Sequence, residues 1–257
     1  MKPLRTVLLF SICLSLLFCA SQEKRVEKER EKNPKYQYNV GIVYLNNGNP
    51  DEAIVYLKKS LLLQPKFDLA LDGMGLAYSM KGDFPEAIKY FSDALASNPN
   101  LTDAHNHLAT AYQEQGMLDN AEKHFLAAVA NESYHSRELP LYNLARLFYL
   151  KEANIKAMEF VDQSLNIKPD FAMGHNLKGL LHERLEEYQN AIISYQAARK
   201  TLPDDINLTY NLAGAYFKHK DYQKAKDLFT DLQLKATDPE MRTNIAKYLE
   251  MIEKEIR

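Results

Sequence analysis

The chain has 257 residues, 26% charged and 46% hydrophobic, with a formal net charge of -2 at pH 7. That length supports one or two globular domains with a sizeable core, and the near-neutral balance offers no global positive field to a nucleic-acid backbone. Both cysteines, Cys13 and Cys19, fall near the N-terminus, which excludes a disulfide framework, a zinc knuckle or a cysteine nucleophile in the rest of the chain.

The first element is an export signal. Lys2 and Arg5 precede the apolar run Val7–Phe18, the charged and hydrophobic regions of a secretory leader. The run is shorter than the ~20 residues a bilayer span needs, so an exported, otherwise soluble protein is expected. Cys19 closes the run, with Leu16 and Leu17 before it and Ala20 and Ser21 after it. This arrangement resembles the lipobox of bacterial lipoproteins, with Phe18 where a small residue is usual. The resemblance implies a signal peptide over 1–18, cleavage before Cys19 and acylation of its thiol. Cleavage after Ala20, which would discard Cys19, is the alternative. The stretch Gln22–Asn33 interleaves glutamate with lysine and arginine and has one apolar residue, Val26. It cannot bury a core, and residues 19–33 read as a lipid-anchored charged tether.

From residue 34 the chain repeats itself. The stretch "VGIVYLNNGNPDEAIVYLKKSLLLQP" aligns with "MGLAYSMKGDFPEAIKYFSDALASNP", placing Gly41 against Gly75, Tyr44 against Tyr78, Ala53 against Ala87 and Pro65 against Pro99. The beat continues through Ala109, Tyr112, Ala121 and Phe125, then Ala145, Phe148, Ala157 and Pro169. It returns at Gly179, His182, Ala191, Tyr195 and Pro203, and at Ala213, Tyr216, Ala225 and Phe229. On this pattern the chain is identified as a member of the tetratricopeptide-repeat family, with repeats at 34–67, 68–101, 102–135, 138–171, 172–205 and 206–239. The resemblance implies an all-α fold: a right-handed superhelical solenoid of six helix pairs, A and B, plus a C-terminal capping helix. The cap is expected over 240–257, where Ile245, Leu249, Ile252 and Ile256 share one face.

Elementary packing accounts for the pattern. A small residue on helix A and the alanine on helix B permit close approach, and bulky positions fill gaps between repeats. Gly48, Gly82 and Gly116 suit a left-handed residue at the end of helix A. Asn49-Pro50-Asp51-Glu52 reads as an N-cap, a first-turn proline and a capping-box glutamate. The proline near each repeat's end stops helix B.

One junction departs from the beat. Between Ala128 and Leu144 the chain reads "AVANESYHSRELPLYNL", and the fourth repeat starts two residues late. A longer polar turn carrying Tyr134, His135 and Arg137 is expected. An exported, cysteine-tethered chain of six such repeats, interrupted after the third, resembles the type IV pilus biogenesis and stability lipoproteins, the PilF/PilW/Tgl group of pilotins. Tyr134, Arg137, Glu138, Asn143 and Leu144 carry that match. The resemblance implies a non-enzymatic outer-membrane lipoprotein, facing the periplasm, that binds secretin subunits of the type IV pilus and aids their localisation or assembly. The alternative is a general envelope adaptor lipoprotein that recruits peptidases or cell-wall enzymes.

The residues present no catalytic constellation: no phosphate-binding glycine loop, no H-E-x-x-H helix, no G-x-S-x-G elbow. His105 and His107 are two apart and project differently from a helix. His175 and His182 occupy packing positions, and Glu186-Glu187 falls in a solvated turn. No metal, cofactor, nucleic acid or small-molecule substrate is expected; the partner is a protein. The family resemblance places the second, fifth, ninth and twelfth positions of each A helix on a binding groove. Its candidates are Tyr38, Ile42 and Leu45; Leu76; Tyr142, Arg146 and Tyr149; and Tyr210 and Phe217. The polar positions Asp72, Asn106, Thr110 and Gln113 join them. The lysine and asparagine set that clamps a terminal carboxylate is absent, and apolar and tyrosine patches suit an extended or helical peptide.

Overall fold

A computed structural model describes residues 29–256. The leader at 1–18, Cys19 and the tether up to residue 28 lie outside them. From Pro34 onward the described residues form thirteen α-helices and no strand. The A helices are α1 (Pro34–Asn46), α3 (Asp68–Met80), α5 (Thr102–Glu114), α7 (Glu138–Leu150), α9 (Ala172–Arg184) and α11 (Ile206–Lys218). The B helices are α2 (Pro50–Leu63), α4 (Phe84–Ser97), α6 (Leu118–Val129), α8 (Asn154–Ile167), α10 (Tyr188–Thr201) and α12 (Tyr222–Lys235), and α13 (Pro239–Ile256) follows. The chain divides into two compact units, one up to Ala121 and one from Glu122.

Within each unit consecutive helices pack as pairs, and A helices also touch the A helix of the next repeat, as α1 does α3 and α7 does α9. The core of the first unit joins Leu57, Ala53, Ala70 and Met74, then Ala87, Phe91, Leu108 and Ala111. In the second unit Ala191, Tyr195, Leu212, Phe229, Ile245 and Ile252 form one cluster, so α13 closes the last repeat. The small A-helix residue makes room for a side chain, rather than for another backbone. A Cβ added at Gly75 would lie 2.4 Å from the Phe91 ring, and one at Gly179 would lie 2.4 Å from Tyr195.

The turn from A to B is the same in all six repeats. The left-handed residue is Gly48, Gly82 or Gly116 in the first three, at φ 71–75°. In the last three it is Glu152, Glu186 or Lys220, at φ 59–64°. The next N–H in each case reaches back to a carbonyl near the end of helix A, as Asn49 does to Tyr44 at 2.9 Å and Asp221 to Tyr216 at 2.9 Å. These bonds satisfy carbonyls that the helix leaves without partners. The expected cap at Asn49 is corrected: the residue stands at the N-cap, but its side chain makes no cap bond. Side-chain caps do form at Asn33, Asp83, Asp205 and Asp221. The B helices stop just before Pro65, Pro99, Pro169 and Pro203, because the residue preceding a proline is driven out of the α region.

Two further bonds tie a B helix back to the start of its own repeat: Ser60 Oγ donates to Pro34 O at 2.7 Å, and Ser164 Oγ to Glu138 O at 2.8 Å. The interruption after the third repeat is a turn. Arg137 Nε donates to Val129 O at 3.1 Å, joining the end of α6 to the approach to α7.

Candidate protein-binding faces

Each unit presents its A-helix face separately. In the first unit Tyr38 and Ile42 on α1, Leu76 on α3 and Thr110 on α5 are half-buried, so each exposes part of an otherwise packed side chain. The Tyr38 ring stands edge-on to Phe67 with centroids 5.4 Å apart. Its phenol is pushed up by burial and by the carboxylates of Asp72, Asp103 and Asp68. Asp72 is buried and meets His107 Nδ1 at 3.0 and 3.2 Å. Burial of the imidazole opposes its charge, yet the bond and charge of Asp72, helped by Asp103, raise its pKa above the ordinary histidine value. Leu45 is corrected: it is 8% exposed and belongs to the core with Leu57 and Met74. It lies one turn beyond Gly41, and residues four apart share a helix face; that face turns toward α2.

In the second unit Tyr142 stands edge-on to Phe171 at 5.3 Å, repeating the Tyr38–Phe67 contact. Burial pushes its phenol up, and the nearby Arg146 guanidinium opposes this. Tyr149 lies beneath Arg184, whose guanidinium carbon is 3.6 Å from the ring centroid and whose Nη1 donates to Tyr149 O at 2.7 Å. Tyr210 and Phe217 on α11 both meet Tyr248 of α13, at 6.2 and 5.2 Å. They remain half-buried, so part of each is committed to the cap and part faces outward. Gly214 between them leaves open space where a side chain would stand.

A pairing rule runs along these faces that single-helix reasoning missed. The fifth position of one repeat meets the sixth of the next: Asp72 with His107, and Asn176 with Asn211 at 3.0 Å. The twelfth meets the thirteenth: Tyr149 with Arg184, and Glu183 with Lys218 at 2.6 Å. Complementary residues spaced by 35, one more than the repeat, were the available signal.

His105, His175 and His182 make hydrogen-bond contacts within the array. His105 Nε2 lies 3.1 Å from Pro99 O and His175 Nε2 lies 2.8 Å from Pro169 O, each against the end of the preceding repeat. His182 Nδ1 lies 2.6 Å from Glu187 Oε2. Among the described residues no group of three or more His, Cys, Asp and Glu side chains is placed to hold a metal ion. No described helix is long and apolar enough to cross a membrane.

Family profiles for the tetratricopeptide repeat match residues 34–67, 80–136 and 184–248, more than half of the chain. The chain belongs to the tetratricopeptide-repeat family, whose members are generally protein-interaction scaffolds. No curated protein sequence matches it significantly. Among solved structures it is similar to PilF of Pseudomonas aeruginosa, with a TM-score of 0.76 and 18% identity over 85% of this chain and 99% of that one. It is also similar to PilW, described as a widely conserved type IV pilus biogenesis factor, with a TM-score of 0.78 and 14% identity over 83% of this chain and 98% of that one. A third neighbour is YrrB, a repeat protein with an unusual peptide-binding site, with a TM-score of 0.57 and 14% identity over 74% of this chain and 97% of that one.

Proposed function

We propose that the protein is a pilotin-like outer-membrane lipoprotein, anchored through Cys19, that holds a secretin subunit of the type IV pilus on its A-helix faces during localisation or assembly. The observation that carries the reading is the single break in the 34-residue beat. A generic repeat array has no need of it. Of its matched residues, Arg137 closes the turn on Val129. The fold likeness to PilF and PilW, which the chain spans nearly end to end, supports the same reading. Half-exposed Tyr38, Ile42, Leu76, Tyr142, Arg146 and Tyr149 supply aromatic, aliphatic and cationic anchors of the kind that dominate peptide capture.

The test is secretin assembly in cells carrying Cys19→Ser. The expected outcome is a stable protein released from the membrane fraction and secretin that fails to multimerise in the outer membrane. Normal secretin multimers in a strain lacking the protein would favour the adaptor alternative, in which peptidases or cell-wall enzymes co-isolate instead.

A further inference from the structure

We infer that the outer end of the first repeat is a docking surface for an anionic lipid bilayer. The inference deepens the anchored-lipoprotein reading and rests on it for the nearness of a membrane. Glu31, Tyr36 and Gln37 with Tyr56, Lys59, Leu62 and Leu63 line an open cavity of about 500 Å³ at this end. Its apolar members stand in solvent: Leu62 is 83% exposed, Leu63 44% and Tyr36 38%. Packing does not require Leu62. The position of Leu62 is filled by Ala96, Ala130, Asn166 and Lys200 in the next four repeats, so the fold accepts a small or polar residue there.

The charges around this patch are chiefly basic. Arg30, Lys32 and Lys35 lead into and open α1, Lys58 and Lys59 lie on α2, and all are exposed; the acidic residues are Glu29 and Glu31 among them and Glu52, four residues before Tyr56 on α2. On a helix Lys58 shares a face with Leu62, and Lys59 with Leu63, because each pair is four apart. Lys59 Nζ lies 4.6 Å over the Tyr56 ring, a cation at the rim of an aromatic base. Leucine reaching the acyl boundary, tyrosine at headgroup depth and lysine at the phosphates is the division of labour of an interfacial surface. The tether makes the contact geometrically available. Nine residues lie between Cys19 and Glu29, ten steps along the chain, and a fully extended chain of ten steps reaches at most about 36 Å. An acylated Cys19 therefore keeps this end of the protein near the bilayer.

The chain contains no tryptophan, so one introduced indole reports on its own surroundings. Leu62→Trp is made in the full chain, and its emission is followed in vesicles of phosphatidylglycerol and phosphatidylethanolamine with brominated acyl chains. Leu234→Trp is the control: Leu234 holds the same repeat position in the last repeat at 85% exposure, beside the paired Lys235 and Asp231. A blue shift and bromine quenching at position 62, growing with phosphatidylglycerol content and absent at position 234, is the expected result. Lys58→Gln with Lys59→Gln should lower the docked-to-undocked ratio roughly 30-fold, as expected for the loss of two interfacial lysine charges. An indole at position 62 that keeps its aqueous emission, in protein whose mass shows acylated Cys19, overturns the proposal. So does a shift that appears only when membrane proteins are added to the vesicles. A mass without acyl chains sinks the anchor alone, because the indole reports docking independently.

Discussion

At three of the six A-to-B turns the left-handed residue carries a side chain, and that backbone region costs an L-residue about 1–2 kcal/mol. Glu152, Glu186 and Lys220 bear this cost where Gly48, Gly82 and Gly116 do not. Lys220→Gly and Glu186→Gly should each stabilise the protein by about 0.5–1 kcal/mol, the strain relieved less the entropy of a glycine in the unfolded chain. Conversely Gly116→Ala should destabilise it by about 1 kcal/mol, although a Cβ there meets nothing within 4 Å. Thermal melting checks all three signs, and an unchanged Lys220→Gly melt would show the turn to be unstrained. The Asp72–His107 pair carries a second residue-scale prediction. The pKa of folded His107 is raised above its ordinary value of about 6.5, so folding favours the protonated form. The pair's contribution to stability is fully present below about pH 6.5 and is lost as pH rises through the folded value. Asp72→Asn should lower the folded pKa of the imidazole, because burial is then opposed only by the charge of Asp103, and so weaken or reverse this dependence. An NMR titration of His107 that does not move on this substitution would contradict the assignment.

At the scale of the helix pair, the repeat was legible because its strongest constraints are steric and recur every 34 residues. Gly75 must lie flat beneath Phe91 and Gly179 beneath Tyr195, so the small residue cannot drift, and prolines such as Pro65 and Pro99 fix the end of helix B. Each A helix accordingly begins at the first residue of a repeat. Leu45 was misread because the twelfth position is not open in every repeat: the core draws Leu45 in beside Leu57, and Gln113 at the same position of the third repeat is buried too. The ladders Asp72–His107 and Glu183–Lys218 were missed, since the one-residue offset between neighbouring A helices shows in the sequence only as complementary residues 35 apart rather than 34. Gly75→Ala should cost about 1–3 kcal/mol through overpacking, more than the gain in helix propensity returns. Phe91→Leu should partly rescue it, and a double-mutant cycle measures the coupling. Strict additivity would show that the ring and the glycine do not compete for space. The cap offers a parallel test. Tyr248 stacks on Phe229 at 4.7 Å and touches Tyr210 and Phe217. Tyr248→Ala should remove about 2 kcal/mol, and hydrogen exchange should rise first in α11–α13, as expected of nearest-neighbour coupling in a repeat array.

For the whole molecule, the proposed capture surface is the set of A-helix faces that the fold leaves only partly covered. Tyr142 and Tyr149 each lean on a neighbour, Phe171 and Arg184, and so are held in place before any partner arrives. Tyr142→Ala with Tyr149→Ala should weaken capture by about 2 kcal/mol, or roughly 30-fold, with helical content nearly unchanged. The most direct test places a photoreactive amino acid at Ile42 or at Tyr142 in the full chain, with matched substitutions at exposed Val55 and Ile193 as controls, and identifies the crosslinked protein in cells. The account predicts a secretin subunit captured from positions 42 and 142 and not from the controls. Equal capture from the controls, or a peptidase or cell-wall enzyme in place of the secretin, would contradict it.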